Sequence, residues 1–481
     1  LTLIPILQLK TSPVSVPGGG IAMTTHKTHL ILAVVGLSGV LFTLCSGAPA
    51  ESAAQAGRTE VRYVKLGGGG DCSSWEEGCD LQTALASAEA GAEIWVAGGT
   101  YYPTESAGRS VSFELKNSVA IYGGFAGTET ERGQRDWVAN PTILSGDIGT
   151  AGDPTDNSYH VVRANQVDEL AILDGFTITD GNANGESPDD EIGGGVYSRR
   201  GTPTLTNLIL KGNFATFGGG GMANVSNSNP SLTSVVLSNN VSKYGGGMYN
   251  TQSSPSLNDV IFSGNEAEAE GGGMYNSSSQ PPLERVTFTN NSANLGAGMY
   301  NSGSNPILKN VTISANFAEY GGGGIYNDSS NPVLTNVTLT GNQAGFGGGL
   351  YNRYNSNLVL LNTILWGNQD NQIINQQDSS ADITYSIIQG GFEGEGNIDA
   401  DPLLDSLADN GGFTPTHALQ AGSPAIDVGS PTLCPETDQR GVARPLDGDG
   451  NGLTRCDIGA YEFVFEGSVV RQYYLPLIIG K

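Results

Sequence analysis

At 481 residues the chain could hold roughly two to four domains by length, but 70 glycines, 7% aromatic and 15% charged residues describe a turn-rich β protein rather than a disordered or collagenous one. A formal net charge of −26 argues against nucleic acid as a partner and suits an extracellular, cation-binding surface.

In chain order, residues 1–56 read as an upstream extension followed by a secretory leader. The first methionine is Met23, which begins the basic stretch MTTHKTH; 30–44 is apolar, and Ala54, Gln55 and Ala56 resemble a small-residue cleavage site. Cleavage is expected after Ala56 or Ala50, and residues 1–22 read as over-extended translation. Leu44 is too large for the small residue that lipid attachment at Cys45 would need, so a lipoprotein is not expected. No later apolar run is long enough to span a membrane.

Residues 57–110 read as an N-terminal cap with the first strands. DLQTALASAEA (80–90) has the composition of a short helix, and EIWVAGGTYYPT (93–104) begins a strand. Such a helix would shield the open edge of a first sheet layer. Through 111–148 further strands and glycine turns follow without a strict period. At 171–182, AILDGFTITDGN places Leu173, Phe176 and Ile178 at a spacing that recurs downstream, and an acidic loop, 182–191, follows.

From 193 to 352 one motif is written seven times: GGGVYS, GGGGMAN, GGGMYN, GGGMYN, GAGMYN, GGGGIYN and GGGLYN. The last glycine of each block falls at 195, 221, 247, 273, 298, 324 and 349, so the steps are 26, 26, 26, 25, 26 and 25. A period held that tightly is a structural repeat. Asn213, Asn240, Asn265, Asn291, Asn316, Asn342 and Asn368 keep the same register, each with a leucine eight residues earlier, and the first six also have apolar residues five and three earlier. That alternation marks a strand with one buried face.

Each unit therefore reads as two or three short strands joined by turns that use Gly or Asn, the residues that best tolerate positive φ. Stacked as coils of a parallel β-helix, like positions would lie about 4.8 Å apart, with leucines and asparagines in continuous columns and amides bonded along the asparagine column. The expected fold is all-β, a right-handed single-stranded parallel β-helix over 111–390. One coil could not stand alone. A C-terminal region at 391–463 and an apolar tail at 464–481 complete the chain.

The run from Trp75 through DLQTAL, IWVAGGTYYPT, YGGFAGTETERGQRDW, PTILSGD, LDGFTITDGNA and GGGMYN resembles bacterial secreted right-handed, pectate-lyase-like parallel β-helix proteins. Its glycine-rich units are similar to those of polymorphic outer membrane proteins. The resemblance covers about residues 60–390 and implies a fold rather than an activity; the membrane barrel of those proteins does not carry over. NGGFTPTHALQAGSPAIDVGS and DQRGVARPLDGDGNGLTRCDIGAYEF resemble the C-terminal region of choice-of-anchor Q proteins, which implies secretion or surface display.

Four sets of residues are candidates for structure or chemistry. In an exported chain the economical pairings are Cys72–Cys79 and Cys434–Cys456, with free thiols as the alternative. Zinc is not expected, because beyond the leader the only histidines are His160 and His417. Asp447, Asp449 and Asn451 in DGDGNG present alternating oxygens as calcium loops do, with Asp457 as a further candidate ligand, although the twelfth position is Ile458. The alternative is a polar turn and no cofactor. Tyr249, Tyr275, Tyr300, Tyr326 and Tyr351 alternate with aliphatic residues that should face inward, leaving a tyrosine stripe outside for stacking on sugar rings or simply on one another.

No catalytic constellation is legible. Lys211, Lys243, Arg285, Lys309 and Arg353 fall at unmatched coil positions, Glu266, Glu268 and Glu270 read as solvated turn charges, and Arg135, Asp136 and Trp137 read as a loop anchor. The expectation is a secreted or cell-surface, adhesin-like binder of polysaccharide or surface glycan. The alternative is a carbohydrate-active enzyme with its site near 100–190, where the period breaks.

Overall fold

The computed structural model describes residues 60–106 and 108–465. The expected leader, and all but the first two residues of the apolar tail, lie outside the described residues. Each repeat unit is one coil of three strands: for example Ser231–Ser238, Val241–Tyr244 and Met248–Thr251. Successive coils stack into three parallel sheets of sixteen, ten and seven strands.

Register is one to one. Leu205, Leu232, Leu257, Leu283, Leu308, Leu334 and Leu360 pair in sequence and form one buried interior file. The leucines sit three residues before the next inward side chain, which strict alternation would send to the opposite face. A left-handed residue resolves this. Asn207, Ser234, Asp259, Arg285, Asn310, Asn336 and Asn362 all have φ between 49° and 56°, so every long strand kinks at the same level and the ladder continues undisturbed.

The predicted asparagine column is present and buried. Nδ2 of Asn240 donates to Asn265 Oδ1 at 3.0 Å, and that same oxygen accepts the Asn240 backbone N–H at 3.1 Å; the pattern repeats from Asn213 to Asn368. A second amide ladder runs from Asn224 through Asn250, Asn276, Asn301, Asn327 and Asn352 to Asn375. The corner glycines have a steric reason: Gly245 has φ +62°, and a Cβ there would meet the Met248 carbonyl oxygen at 2.2 Å.

At the N-terminal end the helix is shorter than expected, Leu81–Ser87, capped by Asp80 through the Thr83 N–H. It sends Leu81, Ala84 and Leu85 into the interior. Leu173, Phe176 and Ile178 pair with Leu205, Leu208 and Leu210, so 171–182 is a coil in register. Just upstream the chain leaves the sheet. Ala120–Phe125 pairs with the first half of Ile172–Thr179 and Thr142–Ser145 with the second, so 126–141 is an excursion over the outer face of the sixteen-stranded sheet.

Among the described residues no strand follows Ile387–Ile388. The C-terminal region folds back over that same outer face. Thr287 Oγ1 donates to Pro415 O at 2.9 Å, Asn310 Nδ2 to Thr437 O at 2.8 Å, and Asn336 Nδ2 to Asp457 O at 3.1 Å. Gln439 bridges Thr287 and Thr312. Disulfides Cys72–Cys79 and Cys434–Cys456 are both formed. No helix among the described residues is long and apolar enough to cross a membrane.

Candidate functional site

The outward residues of the long strands form their own column: Thr177, Ile209, Val236, Ile261, Thr287, Thr312 and Thr338. Where the C-terminal region docks, the column is threonine, whose hydroxyls bond to it. Between Thr177 and that docked stretch it is aliphatic, Ile209, Val236 and Ile261, and Ile209 is 41% exposed. This uncovered stretch floors a groove of about 360 Å³, walled by Trp137, Val138 and Pro141 of the 126–141 excursion and by Phe413 of the C-terminal region.

Both aromatic walls are open to solvent. Arg135 fixes the first. It donates to Asp174 Oδ2 at 2.6 Å and to Gly123 O at 3.1 Å, with its guanidinium 4.8 Å from the Trp137 ring. Asp174 in turn accepts Asn207 Nδ2 at 2.9 Å, which orients an amide on the groove floor. Arg135 is therefore the loop anchor that its place beside Trp137 suggested. Asn207, Ser234, Thr142 and Thr177 supply polar atoms, and among the described residues no titratable side chain lines the groove. Such a surface can stack on and hydrogen-bond to a neutral ligand.

A second hollow, about 310 Å³, lies beside the acidic loop and is lined by Asp189, Glu191, Arg199, Phe217 and Tyr249 among others. Asp189 accepts the Tyr197 hydroxyl at 2.9 Å and pairs with Arg199 at 3.1 Å. Behind it His160 is buried, with Nδ1 3.0 Å from Gly193 O and Nε2 3.6 Å from Asp190 Oδ1. Burial lowers its pKa to about 4.

The tyrosines form a stripe that is only partly outside, and they stack on one another. Tyr249, Tyr275, Tyr300, Tyr326 and Tyr351 stack face to face along the axis, with centroids 4.8 to 5.4 Å apart, and Tyr300 and Tyr326 are buried. Their aliphatic partners do face inward, as expected. Within the ladder each ring face is covered by the next tyrosine, so it presents edges rather than a sugar platform. Glu266–Glu270 is a strand, not a turn, and burial raises the Glu270 carboxyl above its ordinary range. Arg285, Lys309 and Arg353 are taken up by Asp259, Glu284 and Asp328 of the preceding coil.

Of the calcium candidates, Asp447 and Asp449 come together, and Asp427 joins them. Asp457 does not. Its carboxylate is buried and accepts the Asp427 and Phe463 N–H groups. Asn451 is occupied within the loop, its amide donating to Asp449 at 2.7 Å and its oxygen accepting the Leu453 N–H. Asp427, twenty residues before Asp447 in the chain, carries no local pattern that would reveal it.

No family model matches this chain, and no curated protein matches it. Among solved structures, pectate lyase Pel9A aligns over 85% of this chain and 97% of its own, with TM-score 0.51 and 13% identity. The fold is a pectate-lyase-like parallel β-helix. XylC in complex with xylose aligns over 84% of this chain and 98% of its own, with TM-score 0.46 and 10% identity.

Proposed function

We propose that this β-helix recognises an extracellular polysaccharide or surface glycan, without cleaving it, through the groove between Trp137 and Phe413. The observation that carries the reading is the pair of exposed aromatic walls over a neutral, hydrogen-bonding floor, an arrangement suited to uncharged sugar rings. The fold's likeness to a protein named as a pectate lyase supports polysaccharide as the ligand class. The leader at 23–56, the two disulfides, and the resemblance to polymorphic outer membrane protein repeats and choice-of-anchor Q regions support a place outside the cell, secreted or on its surface.

Affinity electrophoresis against neutral and acidic polysaccharides tests this. Trp137→Ala and Phe413→Ala should each weaken binding to a neutral chain about tenfold, the loss of one stacked ring, with melting temperature unchanged. Parent-like retention by both variants would reject the groove.

One observation favours the enzyme alternative. Asp189 and Glu191 line the second hollow together, inside the predicted 100–190 window and its flank, and paired carboxylates are what acid–base cleavage of a glycosidic bond requires. Reducing ends released by the parent but not by Glu191→Gln would establish it.

A further inference from the structure

We propose that Asp427, Asp447 and Asp449 hold a calcium ion within the C-terminal region. One carboxylate oxygen from each lies within 4.8 Å of the other two. Oxygens on opposite sides of a calcium ion, each about 2.4 Å from it, stand about 4.8 Å apart, so the three lie within the span of one ion and close on it with shifts of about a few tenths of an ångström.

A second observation concerns Asp427 alone. It is only 6% exposed. Its Oδ2 accepts the N–H groups of Gly448 at 2.9 Å and Asp449 at 2.8 Å, which turns the carboxylate toward the 447–452 loop. Its Oδ1 is buried and has no hydrogen-bond partner; the Arg455 N–H is near but outside hydrogen-bonding geometry. A buried carboxylate oxygen left unpaired is costly, and a bound cation removes that cost. Nor does a side-chain cation neutralise the group. Arg455 directs its Nη2 to the carbonyls of Val428 and Gly429, and among the described residues no ion pair joins any of the three aspartates.

Donor type and setting select the metal. All three ligands are hard carboxylate oxygens, unsuited to zinc or copper. Asp449 is exposed and Asp447 partly so, which leaves room for water and for the irregular six- to eight-fold shell of calcium, whereas magnesium demands a strict octahedron. Asp457 accepts the Asp427 N–H at 2.8 Å and is a positioning residue, not a ligand. The ion would tie the turn at 423–428 to the loop at 447–452.

The test uses the full chain, stripped with chelator and titrated with calcium chloride in a calorimeter, beside thermal melts with calcium or magnesium. One calcium per chain should bind, the melting temperature should rise, and magnesium should bind at least tenfold more weakly. Asp449→Asn, at an exposed position, and Asp427→Asn, which keeps an acceptor for the Gly448 and Asp449 amides, should each lower calcium affinity at least tenfold. The parent showing neither heat nor a melting shift up to about 10 mM calcium, above the weakest range of extracellular modules, overturns the site. So does parent-like affinity in both variants.

Discussion

The amide of Asn291 makes the stacking logic concrete at the scale of one residue. It donates to Asn316 Oδ1 and to Phe262 O, while its oxygen accepts two N–H groups from Asn265. Asn291→Ala leaves buried donors and an acceptor unpaired on both neighbouring coils. The expected cost is about 3 kcal/mol, read from urea denaturation against Asn258→Ala, whose side chain faces outward on the same sheet.

His160 gives a pH dependence of definite sign. It is buried against the Tyr197 ring, with Asp190 and Arg163 as its charged neighbours. An unfolded histidine takes its proton near pH 6.5, whereas the folded one resists until about 4. The stabilisation is therefore complete above 6.5 and lost as the pH falls through that window. His417, also held below the ordinary value by burial, acts in the same direction. Between pH 6.5 and 4 the denaturation midpoint of the parent should drop relative to that of His160→Asn, the difference being the histidine's own contribution.

At the scale of the coil, register makes the repeat modular. Ser231 pairs with Ser256 and Leu232 with Leu257, so deleting 231–255 lets the next coil take the vacated place with every column intact. The chain should still fold cooperatively, as circular dichroism and a single melting transition would report. That deletion also lies between the Trp137 excursion and the coils on which Phe413 is seated. It brings the two walls closer by one strand spacing, about 4.8 Å, and removes Ser234 and Val236 from the floor. Binding to a long glycan should weaken while the fold survives, which separates the two roles of the coil.

For the whole molecule, the C-terminal region is part of the solenoid's surface and not an appendage. Ile364 and Ile387 of the last coils share a core with Leu419, Ala425, Ile426 and Ile458, and Thr287, Thr312 and Thr338 are buried beneath the region. Truncation after 400 strips that apolar cluster and deprives the groove of its Phe413 wall. The truncated chain should melt at a lower temperature, bind more apolar dye, and bind polysaccharide no better than Phe413→Ala.

The sequence alone determined the coil, because a period of 25 or 26 residues with leucine and asparagine at fixed offsets can bury its apolar positions only by stacking on copies of itself. The interior file through Leu257, Leu283 and Leu308, the asparagine ladder and both cysteine pairings follow from that and from local spacing. Signs of the groove were also in the chain, in the change from Ile209, Val236 and Ile261 to Thr287, Thr312 and Thr338, but an outward column has meaning only once it is known what lies above it. Only the tertiary structure decided that Phe413 faces Trp137 and that Asp427 rather than Asp457 completes the acidic cluster. Those contacts join residues far apart in the chain, and no periodicity records which loop returns to which face.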